Sequence, residues 1–86
     1  MLDKPKITNA AVLGDALRKD RKIRNLTQQA LGLKAKVDRR TVRAAEAGRN
    51  VGLHEFIRIV NSLGLDVVLR PMAAISFEEA EAFFKE

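Results

Sequence analysis

The chain has 86 residues, with 16 Lys or Arg against 11 Asp or Glu and a formal charge of +5, enough for one small domain with a modest core. It has no cysteine, which excludes disulfides and thiolate metal sites and suits a reducing compartment. No apolar run approaches the roughly 18 residues of a membrane span and no signal peptide precedes the domain, so a cytoplasmic protein is expected.

The positive charge is concentrated. Between residues 18 and 49 eleven Lys or Arg stand against Asp20, Asp38 and Glu46, a local charge of +8. Residues 71–86 carry four Glu against Lys85, a charge of −3, and the rest of the chain is neutral. A basic module of this kind is the electrostatic footprint of a polyanion binder, although a solvated basic face gives the same composition.

Residues 1–7 hold Lys4, Pro5 and Lys6 without any hydrophobic period. They read as a flexible arm, either a frayed end or a basic segment tracking DNA. Thr8 or Asn9 can cap a helix over about 10–24, with Leu13, Ala16 and Leu17 as its buried stripe. Asp20 takes the next stripe position and can pair with Arg24 one turn on.

Thr27 caps a second helix over 28–35, with Leu31 in the core. The free N–H groups of its first turn can receive a phosphate, so Thr27 has two compatible roles, cap and phosphate contact. A break at 35–37 follows. Asp38 can cap a third helix over about 39–47, which stops at Gly48. Two short helices joined by such a turn form a helix-turn-helix arrangement, in which the start of the second helix reads base edges.

On that third helix Val42 and Ala45 share a face with Val37 and pack inward, while Arg39, Arg40, Arg43 and Ala44 point elsewhere. Arginine reads guanine through O6 and N7. Arg40 and Arg43 are therefore expected as base readers with Ala44 beside them, and Arg39 as a base or phosphate contact. Thr41 is a packing or phosphate residue, and Lys36 adds a charge near the expected phosphate path.

Leu53, Phe56, Ile57, Val60 and Leu63 repeat at helical spacing and predict a core helix over 53–63 with Gly64 as its stop. His54 has no visible partners and reads as a surface or interface residue rather than a metal ligand. The period then changes: residues 65–70, LDVVLR, lie between Gly64 and Pro71 and read as a strand. A lone strand needs a partner. The expected one is the same strand of a second copy across a two-fold axis, joined through Leu65, Val67, Val68 and Leu69; an ordinary extended tail is the alternative. Ser76 to Glu79 fits a capping box for a last short helix. That helix carries Phe77, Phe83 and Phe84, and packs on its own domain, on a dimer mate or on a partner protein.

With Leu26-Thr27-Gln28, Leu31, Val37, Arg39, Thr41-Val42, Glu46 and Gly48-Arg49 at this spacing, the chain resembles the helix-turn-helix family of phage lambda repressor and Cro, the Xre family, from about Leu13 to Pro71. The resemblance implies a mainly α fold: a lambda-repressor-like bundle of four to five helices, one C-terminal β-strand pairing across a dimer, and a short C-terminal helix. The corresponding division is an arm at 1–7, a DNA-binding domain at 8–64, a dimerisation strand at 65–70 and an acidic tail at 71–86. It further implies a structural salt bridge between Arg21 and Glu46, and phosphate contacts by Gln28, Arg49 and Asn50.

Three positions depart from the family pattern. Asn25 replaces a usual Gly, which is mild because Asn tolerates left-handed backbone. Gly32 replaces a small Ala where the helices cross. Lys36 replaces the turn Gly, so either Lys36 adopts a positive φ or the turn has another shape. The strand directly after LHEFIRIVNSLGL also resembles the HipB-type antitoxin branch of the family, whose members are dimeric repressors of their own operon and bind a HipA-type kinase toxin.

The expected function is thus a sequence-specific repressor, working as a homodimer on a palindromic operator in double-stranded DNA and acting as the autoregulating antitoxin of a toxin–antitoxin pair. A stand-alone phage-type repressor, or a module acting mainly by binding a partner protein, is the alternative. An enzyme is not expected, since the sequence has a single histidine, no glycine-rich phosphate loop and only scattered carboxylates. No cofactor, metal or membrane partner is implied.

Overall fold

Each of the first three helices begins where a side chain satisfies a backbone N–H that the helix itself leaves orphaned. In the computed structural model, which describes residues 6–71, Asn9 Oδ1 accepts from the Val12 N–H at 2.9 Å and opens α1 (Ala10–Ile23). Thr27 Oγ1 accepts from the Ala30 N–H at 3.0 Å and opens α2 (Gln28–Ala35). Asp38 Oδ1 accepts from the Arg40 N–H at 3.2 Å and opens α3 (Arg39–Glu46). The fourth helix, α4 (Leu53–Ser62), starts after Gly52 without a side-chain cap. Glu55 in its first turn favours the positive end of the helix dipole.

All four helices end the same way. A left-handed residue follows each one: Asn25 (φ 58°), Lys36 (φ 60°), Gly48 (φ 75°) and Gly64 (φ 75°). Around it two N–H groups fold back onto late carbonyls, as Lys36 does to Leu33 at 3.3 Å and Val37 to Gly32 at 2.9 Å. This is the Schellman closure. Lys36 therefore keeps the turn shape and accepts a positive φ, which resolves the alternative left open by its replacement of glycine.

The core is one cluster formed by Leu17, Leu31, Ala35, Val42, Ala45, Ile59, Val60 and Leu63, with Leu26, Val37, Val51 and Phe56 packed at its margin. It lies where α1 meets α3 and where α2 meets both α3 and α4. Arg58 on α4 adds a polar tie by donating from Nε to the Ala35 carbonyl at 3.2 Å, at the end of α2.

Two details of the expected packing are corrected. On α1 the buried positions are Gly14, Leu17 and Arg21, whereas Leu13 and Ala16 are half-buried. The stripe turns because α1 and α3 touch backbone to backbone: a Cβ added at Gly14 would stand 2.5 Å from the Glu46 carbonyl oxygen and 2.6 Å from that of Ala45. On α4 Ile59 is fully buried while Leu53 is 74% exposed. Leu53 is the first residue of α4, at the end of the helix rather than within it.

Residues 65–71 belong to no helix and no ladder within the single chain. The strand expected at 65–70 is therefore not formed among the described residues; a lone strand has no ladder to join. Its apolar side chains stand in solvent, up to 93% exposed at Leu69. The capping box at Ser76, the Phe-rich tail helix and arm residues 1–5 lie outside the described residues.

Candidate nucleic-acid interface

The position of α3 is set by a charged clamp beneath it. Arg21, on α1, donates from Nε to Glu46 Oε2 at 2.6 Å and from Nη2 to Oε1 at 3.0 Å, while Nη1 donates to the Leu26 carbonyl at 2.7 Å. The two side chains are only 9% and 4% exposed. Gln28 completes the group, donating from Nε2 to Glu46 Oε1 at 3.1 Å. One cluster therefore joins α1, the loop before α2, the start of α2 and the last residue of α3. Hydrogen bonding to Glu46, with its charge, raises the Arg21 pKa above the ordinary arginine value and outweighs the opposing effect of burial. Every buried side-chain nitrogen and oxygen among the described residues has a partner.

With that anchor in place, α3 divides cleanly. Val42 and Ala45 are buried. Arg39, Arg40 and Arg43 are exposed and Ala44 is half-buried. At about 100° per residue these four fall within an arc of about 140° on the side away from the core. Thr41 lies between the two faces and is half-buried. The arrangement can present three guanidinium groups to a groove while the opposite face stays in the core.

The neighbouring elements extend the basic surface. Thr27 caps α2, so the N–H groups of Gln28 and Gln29 stay free in its first turn. Gln28 spends one amide hydrogen on Glu46 and keeps the other. Lys36 is exposed at the left-handed turn between α2 and α3. Arg49 and Asn50 are exposed in the loop after α3. Arg40 also pairs with Asp38, Nη2 to Oδ2 at 3.5 Å. Reading Asp38 as a cap alone misses this contact; the signal for it is an acid two residues before an arginine at a helix start.

Leu65, Val67, Val68 and Leu69 are exposed in the segment that leaves α4. His54 is exposed, and among the described residues no group of His, Cys, Asp or Glu could hold a metal ion. No described helix is long and apolar enough to cross a membrane.

Residues 17–69 match a helix-turn-helix family model. Among solved structures, the restriction-modification controller protein C.AhdI from Aeromonas hydrophila is 29% identical with a TM-score of 0.62, over 66% of this chain and 88% of that one. A chain of the HipA–HipB–O2–O3 complex is 27% identical with a TM-score of 0.75, over 81% of this chain and 100% of that one. The clp gene regulator ClgR from Corynebacterium glutamicum is 25% identical with a TM-score of 0.61, over 72% and 67% of the two chains. No curated protein matches the chain.

Proposed function

The chain belongs to the helix-turn-helix family, a family of DNA-binding regulators rather than enzymes, and we propose that it is a sequence-specific repressor that binds a palindromic operator as a homodimer. The observation that carries this reading is the outward face of α3, where Arg39, Arg40 and Arg43 stand exposed on a helix clamped from below by Arg21 and Glu46.

In this reading α3 enters the major groove. Arg40 and Arg43 read guanine, Ala44 packs beside them, and Arg39 takes a base or a phosphate. Thr27, Gln28, Lys36, Thr41, Arg49 and Asn50 follow the phosphate backbone and fix the register. The division of labour along the chain is a DNA-binding unit at 8–64, a dimerisation strand at 65–70 and an acidic tail at 71–86. The exposed Leu65, Val67, Val68 and Leu69 supply the apolar surface for pairing with a second copy, which would place two recognition helices about 34 Å apart. The protein would work in the cytoplasm and repress by occupying its promoter.

A second, compatible reading is that of an antitoxin. It is supported by the likeness to a chain of the HipA–HipB–O2–O3 complex over 81% of this chain. A HipA-type kinase would then be the protein partner, held through surfaces that the operator leaves open.

Titration against DNA from upstream of the protein's own gene, beside scrambled DNA and at two salt concentrations, tests the repressor reading. Tight binding to the upstream DNA is expected, lost in Arg40→Ala with Arg43→Ala while weak salt-sensitive binding survives. Equal weak binding of the wild type to both DNAs would overturn specific repression of that promoter.

A further inference from the structure

At the mouth of α3 a carboxylate sits among arginines. Asp38 lies directly before Arg39 and Arg40, and its side chain is 58% exposed. Oδ1 accepts from the Arg40 N–H at 3.2 Å, and Oδ2 lies 3.5 Å from Arg40 Nη2. An ionised carboxylate offers about four acceptor positions, so this pairing leaves acceptors open to solvent. The backbone N–H of Arg40, aided by the nearby arginine charges, keeps the acid below its ordinary pKa, so it is ionised near neutral pH. Asp38, Arg40 and Ala44 line one shallow depression together with Asn50 and Glu55.

A negative charge here suits the cap of α3 but is unfavourable for simple phosphate binding. Its chemistry fits base edges instead. In the major groove guanine presents only acceptors and thymine an acceptor and a methyl group; adenine and cytosine present amino donors, adenine beside an N7 acceptor that a carboxylate cannot serve, so cytosine is the usual partner of an acidic side chain. Carboxylate and guanidinium stand side by side at the start of α3, so both are carried to whatever that end of the helix meets.

We propose that Asp38 is a specificity-determining residue: it steadies the Arg40 guanidinium on a guanine and accepts a hydrogen bond from the amino group of an adjoining cytosine, so that the two side chains read one guanine–cytosine step together. The inference rests on α3 being the recognition helix. It adds a selective acid to a face otherwise defined by cations, and it makes the half-site depend on a residue that repels phosphate.

The test is selection from a duplex library randomised across the half-site, using the full chain as wild type, Asp38→Ser and Asp38→Asn. Both variants keep a cap acceptor, and thermal unfolding of each checks that it is folded. The wild type is expected to enrich a cytosine beside a guanine. In Asp38→Ser and Asp38→Asn the cytosine preference at that one position should fall by about fivefold or more, with the preferences elsewhere in the half-site retained. Binding to unrelated DNA should tighten as the negative charge is lost. An unchanged cytosine preference in both variants, or a uniform loss of preference at every position, would overturn the role of Asp38 while leaving the repressor reading intact. Failure of the wild type to enrich any sequence would overturn both.

Discussion

Replacing Arg21 by methionine removes three hydrogen bonds at once: two to the Glu46 carboxylate, at 2.6 and 3.0 Å, and one to the Leu26 carbonyl at 2.7 Å. Methionine fills most of the space but donates nothing. Glu46, whose side chain is 4% exposed, is then left with the single neutral donor of Gln28. Breaking a buried pair by removing one partner typically costs about 3–5 kcal/mol, because the remaining charge is uncompensated. For a domain of this size about 1 kcal/mol corresponds to a Tm change of roughly 4–8 °C, so Arg21→Met should lower Tm by roughly 12–40 °C. The assay is thermal unfolding followed by circular dichroism, with a double-mutant cycle through Glu46→Leu. Arg21→Met with Glu46→Leu should recover much of the loss, since no charge then stays buried. A single mutant within about 1 kcal/mol of wild type would refute the reasoning: the clamp would then behave as a surface ion pair.

Three further outcomes follow from particular residues. Lys36 sits at φ 60°, a conformation that costs an L-residue about 1–2 kcal/mol; Lys36→Gly should therefore raise stability by about 1 kcal/mol in urea unfolding, and, if Lys36 contacts phosphate, reduce the salt slope of DNA binding by about one. Gly14→Ala forces a Cβ against the Glu46 and Ala45 carbonyls, so it should destabilise by about 1–3 kcal/mol; a neutral result in the same assay would contradict the backbone contact between α1 and α3. Asp38 is held below its ordinary pKa chiefly by the Arg40 N–H. A folded value below the unfolded one means that its stabilisation is present at neutral pH and is lost as pH falls through the carboxylate range. Wild-type Tm should accordingly drop more steeply than that of Asp38→Asn below about pH 4; parallel curves would show that the cap is not sensitive to charge.

Much of the fold is legible in the sequence because local signals agree with the global packing. Thr27 and Asp38 stand where helices begin, and Gly48 and Gly64 lie just past helix ends. The helices themselves end within about a residue of their expected limits, the usual uncertainty at frayed termini. What stayed hidden depends on contacts distant in sequence. Gly14 carries no hydrophobic signal, yet its missing side chain lets α1 touch α3. Ile59 and Leu53 are equally apolar, yet the first is fully buried and the second 74% exposed, a difference set by how the helices pack. The left-handed turn at Lys36 runs against residue preference and is imposed by the closure from Val37 to Gly32.

The candidate interface is legible in outline more than in detail. Three arginines within five residues mark the outward face of α3 directly. That Arg40 shares its first partner with the helix cap, and that Gln28 is tied to Glu46, follows only from how the helices cross. Residues 65–71 join no helix and no ladder among the described residues, so pairing through Val67 and Leu69 is a matter for the proposed dimer.

The most direct measurement is dimethyl sulfate protection on operator DNA bound by the purified protein. The reagent methylates guanine N7 in the major groove, the atom that Arg40 and Arg43 would cover. The expected result is two clusters of protected guanines about one helical turn apart, with protection lost in Arg40→Ala with Arg43→Ala. Guanines that stay fully reactive across a saturated operator would show that α3 does not enter the major groove, and would contradict its assignment as the recognition helix.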